Sequence, residues 1–228
     1  MNAALTQLIR SELLRNEGVR RLAPARRFTS LLTSETAPEC VLFLDSGYVK
    51  IVRRGDDGKE AILAIVGPGQ LFAEHSLHRV TRPFTAEVIQ EGIIYEIPRE
   101  LFLSFCHNHP EAWKMLWELA LERQLALEQK VALLSLKDVE YRILYYLGQL
   151  AKTFAVPLSD KQEYSLPLSQ SEIANLIGAT RETTSTTLNS LARRGLLRLG
   201  RRNVTVGSLE TIYAACRDRD RHITEMAS

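Results

Sequence analysis

The chain has 228 residues, and 29 Lys and Arg against 27 Asp and Glu leave a net charge of +2. That balance excludes a uniformly basic chromatin-type protein and an acidic disordered tail. Hydrophobic residues at 45% and charged residues at 25% are ordinary globular values, so one large core or two small ones are expected.

Cys40, Cys106 and Cys216 are widely spaced and form no CxxC pair, which argues against a zinc ribbon or a disulfide framework. They read as packed, reduced thiols of a cytoplasmic protein. No apolar run reaches membrane-spanning length, and no membrane partner is expected. The first residues do not read as a signal peptide. Leu5, Leu8, Ile9, Leu13 and Leu14 recur at helical spacing with Arg10 and Glu12 between them, predicting a short helix over residues 3–16.

A strand-rich region follows. Residues 40–44 form an apolar run, 45–47 a turn, and 48–52 a partly alternating strand. Asp56-Asp57-Gly58 signals a hairpin, 60–66 a further strand, and Gly67-Pro68-Gly69 a stop. Residues 84–89 and 92–97 read as a second hairpin turning at Gln90-Glu91. Short strands with such turns predict a barrel, roll or sandwich.

Pro110 marks a change of period. Residues 111–135 contain neither Gly nor Pro and predict a helix of about 37 Å. Trp113, Leu116, Ala120, Leu127, Val131 and Leu134 fall near one face. Trp117, Leu119, Leu121, Leu125 and Leu133 widen it, which predicts burial on two sides, against the chain's own roll and against a partner helix. Arg123 and Lys130 interrupt a strict heptad and disfavour a long autonomous coiled coil. Asp138 is placed to cap a helix over 139–152.

From 166 to 206 the chain carries six Arg against Glu172 and Glu182, a local excess of +4, so the rest sums to −2. Ser169 with Glu172 forms a capping box for a first helix, which Gly178 ends. Thr180 caps a second helix that turns Arg181, Glu182, Ser185 and Thr186 outward and Thr184, Leu188 and Leu191 inward. Gly195 closes it. Residues 196–199, a turn at 200–203 and residues 204–206 form a small hairpin. Cap, turn, polar face and wing in this order predict a winged helix-turn-helix.

Taken together, Gly47-Tyr48-Val49-Lys50-Ile51, Asp57-Gly58-Lys59-Glu60, Pro68-Gly69-Gln70-Leu71-Phe72-Ala73-Glu74, the long helix, Ser171-Glu172-Ile173-Ala174 and Thr180-Arg181-Glu182-Thr183 resemble the cyclic-AMP receptor/Fnr family of bacterial transcription regulators over about residues 20 to 215. The resemblance implies an α+β fold. A β-roll sensor (double-stranded β-helix, cyclic-nucleotide-binding-like) with its N-terminal helix would fill residues 1–109, a dimerisation helix 110–137, and the winged helix-turn-helix 138–228. It implies a homodimer on a palindromic double-stranded DNA operator, RNA polymerase as a partner, a hinge near Asp138, and no enzymatic turnover.

Arg181 can donate two hydrogen bonds to guanine, and Glu182 can accept from cytosine. The family often places a second Arg where Thr186 stands, so an altered inner base pair is expected. Ser169, Gln170, Thr180 and Ser185 read as DNA-backbone contacts, as do Arg201 and Arg202 on the wing.

The family's cyclic-nucleotide site uses Gly-Glu followed ten residues later by Arg, the Glu holding ribose and the Arg the phosphate. Here Ala73-Glu74 stands first, and the tenth residue is Phe84, followed by Thr85. An apolar ring leaves a buried phosphate unpaired, at a cost on the order of several kcal/mol. Arg82 is off register and restricted by Pro83. Arg123 matches the family position that pairs with the Glu, whereas Leu127 and Glu128 replace hydroxyls that meet adenine. The effector pocket is thus read as Glu74, Phe84, Thr85, Arg123 and Leu127, with cyclic AMP disfavoured and the effector unidentified.

An iron–sulfur cluster needs about four thiolates, so the three scattered cysteines argue against one. Heme is the alternative cofactor. Leu71-Phe72-Ala73-Glu74-His75-Ser76 is similar to the carbon-monoxide-sensing heme members, which place a heme ligand where His75 stands. Those members carry Cys where Ala73 lies and an N-terminal Pro where this chain has Met1-Asn2. His75 as an ordinary roll residue is the other reading, and His78, His107 and His109 read as loop histidines. A signal-binding module that does not read DNA is a further alternative.

Overall fold

The computed structural model describes residues 3–27, 29–32, 39–78, 84–154 and 163–226. The chain divides into two compact units, Met1–Glu128 and Gln129–Ser228.

The first unit opens with α1 (Ala3–Leu8), which widens into a π-helical turn, Ile9–Leu13, closed by Leu14 N–H donating to the Ile9 carbonyl at 3.0 Å. Leu5, Ile9 and Leu13, four residues apart, are all buried. A spacing of four drifts around a 3.6-residue turn, and the wider π turn keeps this row on the core. The regular helix expected to residue 16 therefore ends early.

Among the described residues eight strands follow: β1 (Arg20–Ala25), β2 (Ser30–Leu32), β3 (Cys40–Leu44), β4 (Tyr48–Arg54), β5 (Glu60–Val66), β6 (Gln70–Phe72), β7 (Thr85–Gln90) and β8 (Gly92–Pro98). They form two antiparallel four-stranded sheets, ordered β1-β8-β3-β6 and β2-β7-β4-β5. β4 and β5 are the hairpin expected around Asp56-Asp57-Gly58. The second expected hairpin is not one: β7 pairs with β4 and β2, whereas β8 pairs with β3 and β1. The turn at Gln90-Glu91 carries the chain from one sheet to the other, as the turn at 45–47 does between β3 and β4. The two corners bind each other, with Asp45 N–H on the Ile93 carbonyl at 2.9 Å and Ile93 N–H on Ser46 Oγ at 3.0 Å.

β3 explains why its sequence shows no alternation. Leu42 and Leu44 join Val49, Phe72, Val88 and Ile94 between the sheets, while Val41 and Phe43 face a second core built with Leu5, Ile9, Phe102, Phe105 and Leu119. Both faces are buried, so an unbroken apolar run results. On β4, Lys50 is buried and pairs with Glu60 of β5 at 2.6 Å and Glu87 of β7 at 3.2 Å, and Arg54 pairs with the same two carboxylates.

Helix α2 (Arg99–Asn108) precedes the change of period expected at Pro110. It carries His107 in its last turn, and His109 ends it, its ring 4.7 Å from that of Phe105. His107 is thus a helix residue rather than a loop residue, while His109 lies in the one-residue break before the next helix. Helix α3 (Pro110–Leu136) runs from the first unit into the second. The two cations that break its heptad are used inside the chain: Arg123 donates to the Leu71 carbonyl at 2.6 Å, and Lys130 lies 5.7 Å over the Tyr146 ring. Ala112, Leu119 and Leu133 are buried, while Trp113, Trp117, Leu121, Leu125, Leu127, Val131, Leu134 and Leu136 are exposed.

In the second unit, α4 (Val139–Phe154) begins at Asp138, whose Oδ1 accepts the Tyr141 N–H at 2.8 Å as its sequence position predicts. The other carboxylate oxygen accepts Arg219 Nε at 2.7 Å, from α7 (Leu209–Met226), a helix that the sequence reading left unassigned. Between them lie β9 (Tyr164–Leu166), α5 (Gln170–Ile177), α6 (Arg181–Arg193), β10 (Leu197–Leu199) and β11 (Val204–Val206). The wing is a three-stranded antiparallel sheet, β10-β11-β9, rather than a hairpin alone. Among the described residues, no helix is long and apolar enough to cross a membrane.

Candidate nucleic-acid interface and effector pocket

Helix α5 starts at a complete capping box. Ser169 Oγ accepts the Glu172 N–H at 3.2 Å, and the Glu172 carboxylate accepts Ser169 N–H at 2.7 Å and its hydroxyl at 2.6 Å. The helix ends at Gly178 with φ +65, a left-handed turn that costs a side chain its favoured geometry. Thr180 then caps α6, accepting the Thr183 N–H at 3.2 Å. Thr184, Leu188 and Leu191 are fully buried, so the helix is fixed in rotation with its opposite side in solvent.

The outward side chains divide into committed and uncommitted groups. The Ser169 hydroxyl donates to the Glu172 carboxylate, and the Thr180 hydroxyl donates to Thr183 Oγ1 at 2.9 Å. A hydrogen bond from either hydroxyl to a phosphate would have to displace that donated bond. Arg194 is paired with Glu140 at 2.7 Å, and Arg198 is held in a fork by Glu163 at 2.8 and 2.5 Å. Those two cations belong to the local charge excess read from the sequence, and their acidic partners lie outside the counted stretch. Arg202 makes a contact of its own within the chain. By contrast, Arg181, Glu182, Thr186 and Arg201 are exposed, and Gln170 and Ser185 are half-buried. The side chains of these six hydrogen-bond or pair with no described residue. Arg181, Glu182, Ser185 and Thr186 occupy the first two turns of α6, where a recognition helix meets base edges. Arg201 and Arg202 sit in the turn between β10 and β11.

In the first unit, Glu74 opens a 3₁₀ turn (Glu74–His78) that follows Ala73, which has φ +63. The Glu74 carboxylate forms an ion pair with the Arg123 guanidinium from α3. Burial pulls Arg123 down to about 10, still a cation at neutral pH. The ring of Phe84 stands edge-on to His75, centroids 4.7 Å apart, where the family's phosphate clamp would be expected. Thr85 begins β7 opposite Val52, and Leu127 is 53% exposed one turn beyond Arg123. Ser76 is fully buried, and its hydroxyl has no hydrogen-bond partner among the described residues. The fold thus brings together Glu74 with Arg123 and His75 with Phe84. Arg82 and Pro83 lie outside the described residues, as does the His78 side chain. Cys40 and Cys106 lie in β3 and α2, and burial pushes both thiols up to about 11.

The family model described as cyclic nucleotide-binding domain matches residues 25–109, and the Crp-like helix-turn-helix domain matches residues 141–213. The chain is 33% identical over 173 residues to the CRP-like cAMP-activated global transcriptional regulator of Mycobacterium tuberculosis, covering 75% of this chain and 77% of that protein. It is 30% identical over 169 residues to the cyclic AMP receptor protein of Thermus thermophilus, covering 74% and 75%. The structure of FixK2 from Bradyrhizobium japonicum superposes with a TM-score of 0.74 at 22% identity, covering 86% of this chain and 96% of that one, a likeness of fold.

Proposed function

Since this chain belongs to the CRP/FNR family of transcription regulators, we propose that it works as a homodimer joined along α3, with one α6 in each half of a palindromic operator about one DNA turn, roughly 34 Å, apart. It is a DNA-binding regulator and not an enzyme. Arg181 and Glu182 read a G·C step, Thr186 offers its methyl and hydroxyl to the next pair, and Arg201 and Arg202 hold phosphates. The beta-roll is the sensor and RNA polymerase the downstream partner, in the cytoplasm where the DNA lies. The observation that carries this reading is the uncommitted Arg181-Glu182 pair at the head of a helix capped at Thr180 and fixed by three buried side chains.

The effector of the roll is an uncharged or otherwise non-phosphate group. Among the described residues, Phe84 offers no charge to an anion, and Arg123 is already engaged by Glu74 and the Leu71 carbonyl. The two relatives named above are, by their names, cyclic-AMP proteins; Phe84 and the engaged Arg123 are what argue against that effector here. The residues around His75 do not fit the heme ligation of the carbon-monoxide sensors, because Ala73 replaces their Cys and the imidazole packs against Phe84.

The test is binding of the full chain to a pool of randomised palindromic duplexes, followed by sequencing of the bound fraction. The expected result is a two-fold symmetric consensus that Arg181→Ala weakens by about 5- to 150-fold at its guanine position. Binding without sequence preference, or a consensus unchanged by Arg181→Ala, would remove the readout assignment.

A further inference from the structure

The row of α6 that points furthest from the core is longer than the Arg181–Thr186 segment. At 100° per residue, Glu182, Thr186, Asn189 and Arg193 fall within roughly 60° of one another. They lie opposite Thr184, Leu188 and Leu191, which are fully buried. All four are exposed. None of their side chains bonds to a described residue, whereas nearby polar groups are spent: Thr187 Oγ1 donates to the Thr183 carbonyl at 2.8 Å, and Arg194 is paired with Glu140.

The side chains in the middle of this helix are short. Residues 183–187 read Thr-Thr-Ser-Thr-Thr, with no long side chain to hold the helix off a groove floor. A helix that sits deeper brings the next position of the outward row within reach of base edges. That position is Asn189, whose carboxamide offers one donor and one acceptor side by side. Adenine presents the matching N6 donor and N7 acceptor in the major groove.

We infer that Asn189 is a specificity-determining residue that reads an adenine in each half-site, beyond the pair read by Glu182. Its place on α6 is about 10 Å further along the axis than Glu182, a span of about three base-pair steps. Arg193, at the end of the row, then meets the backbone. This inference rests on the DNA-reading assignment above.

The experiment compares base preferences of the full chain, Asn189→Ala, Asn189→Gln and Arg181→Ala on the same randomised palindromic pool, with affinities for the selected duplex at two salt concentrations. Circular dichroism checks that each variant folds. The expected result is that Asn189→Ala flattens one A·T preference per half-site and weakens the selected duplex by about 5- to 150-fold. The preference at the Arg181 position should stay intact. A profile that responds to Arg181→Ala but not to Asn189→Ala overturns the inference alone. So does a uniform loss over all sequences, the mark of a backbone contact, with the salt slope unchanged because Asn carries no charge to release counterions. A parent chain without any preference overturns both this inference and the reading beneath it.

Discussion

The turn between α5 and α6 gives a prediction whose magnitude can be worked from two glycines. Gly178 has φ +65, and a Cβ added there would lie 2.7 Å from Leu134 Cδ2. Gly195 has φ +76, with nothing within 4 Å of the added atom. Both substitutions to Ala carry the left-handed backbone cost, about 1–2 kcal/mol. Only Gly178→Ala adds a contact. Leu134 is 44% exposed and the atom met is the end of its side chain, so a rotamer adjustment of about 0.5–1.5 kcal/mol relieves it. Gly195→Ala should therefore cost about 1–2 kcal/mol and Gly178→Ala about 1.5–3.5 kcal/mol. Hydrogen exchange of α5 and α6 amides, read segment by segment, is the assay, because it reports the local opening free energy. Leu134→Ala in the Gly178→Ala background should recover the contact share and leave the backbone share. Equal losses for the two alanines would refute the contact, and a loss below about 0.5 kcal/mol at Gly195 would refute the strain argument.

Three further outcomes follow from the same structure. Leu125, 64% exposed on α3, should be covered by a second copy, so Leu125→Glu should convert the dimer to a monomer in sedimentation velocity. An unchanged dimer would move the interface elsewhere. At Glu87, burial alone would raise the carboxyl, but the Arg54 hydrogen bond and the Lys50 and Arg54 charges bring it below its ordinary 4.5. The pair's stabilisation is then fully present above that value and is lost as pH falls through the lower folded one, so Glu87→Gln should flatten the acid limb of the roll's stability profile in urea unfolding below about pH 4.5. Arg201→Ala should weaken all DNA sequences alike and reduce the slope of log K against log salt by about 1, whereas a changed consensus would make it a base reader.

How much of this was legible in the sequence varied with the range of the forces involved. The capping box at Ser169 and Glu172, the turn at Gly178 and the cap at Thr180 are local, set within a few residues, and the structure reproduces them. The pairing of β7 and β8 with different sheets was not legible. A tight turn between two apolar runs reads the same whether the chain folds back or crosses a corner, and the choice is made by the facing corner at 45–46. β1 was hidden because Pro24 and the flanking arginines argue against a strand; it lies at a sheet edge, where Pro is tolerated. Helix α7 packs along α4 through Ile212 and Cys216, a pattern of two buried residues four apart that is too sparse to stand out among the charges that follow.

The charge count shows why a linear tally can mislead about function even when its sum is right. Of the six arginines counted in the stretch from 166 to 206, Arg194 and Arg198 are neutralised by Glu140 and Glu163, residues distant in sequence and adjacent in space. That leaves Arg181 and Arg193, at the two ends of α6, and Arg201 and Arg202, in the wing turn, for the proposed DNA contacts. In the roll the opposite holds: Glu74 and Arg123 satisfy each other. Each is 35% exposed, so their bond is worth about 1 kcal/mol or less. Breaking that bond alone costs an effector little, but the guanidinium stays held by its second bond, to the Leu71 carbonyl. In the proposed effector pocket the discrimination between two states of the protein must then come from groups other than this pair, Phe84 and Leu127 among them, because only differential binding can shift that equilibrium.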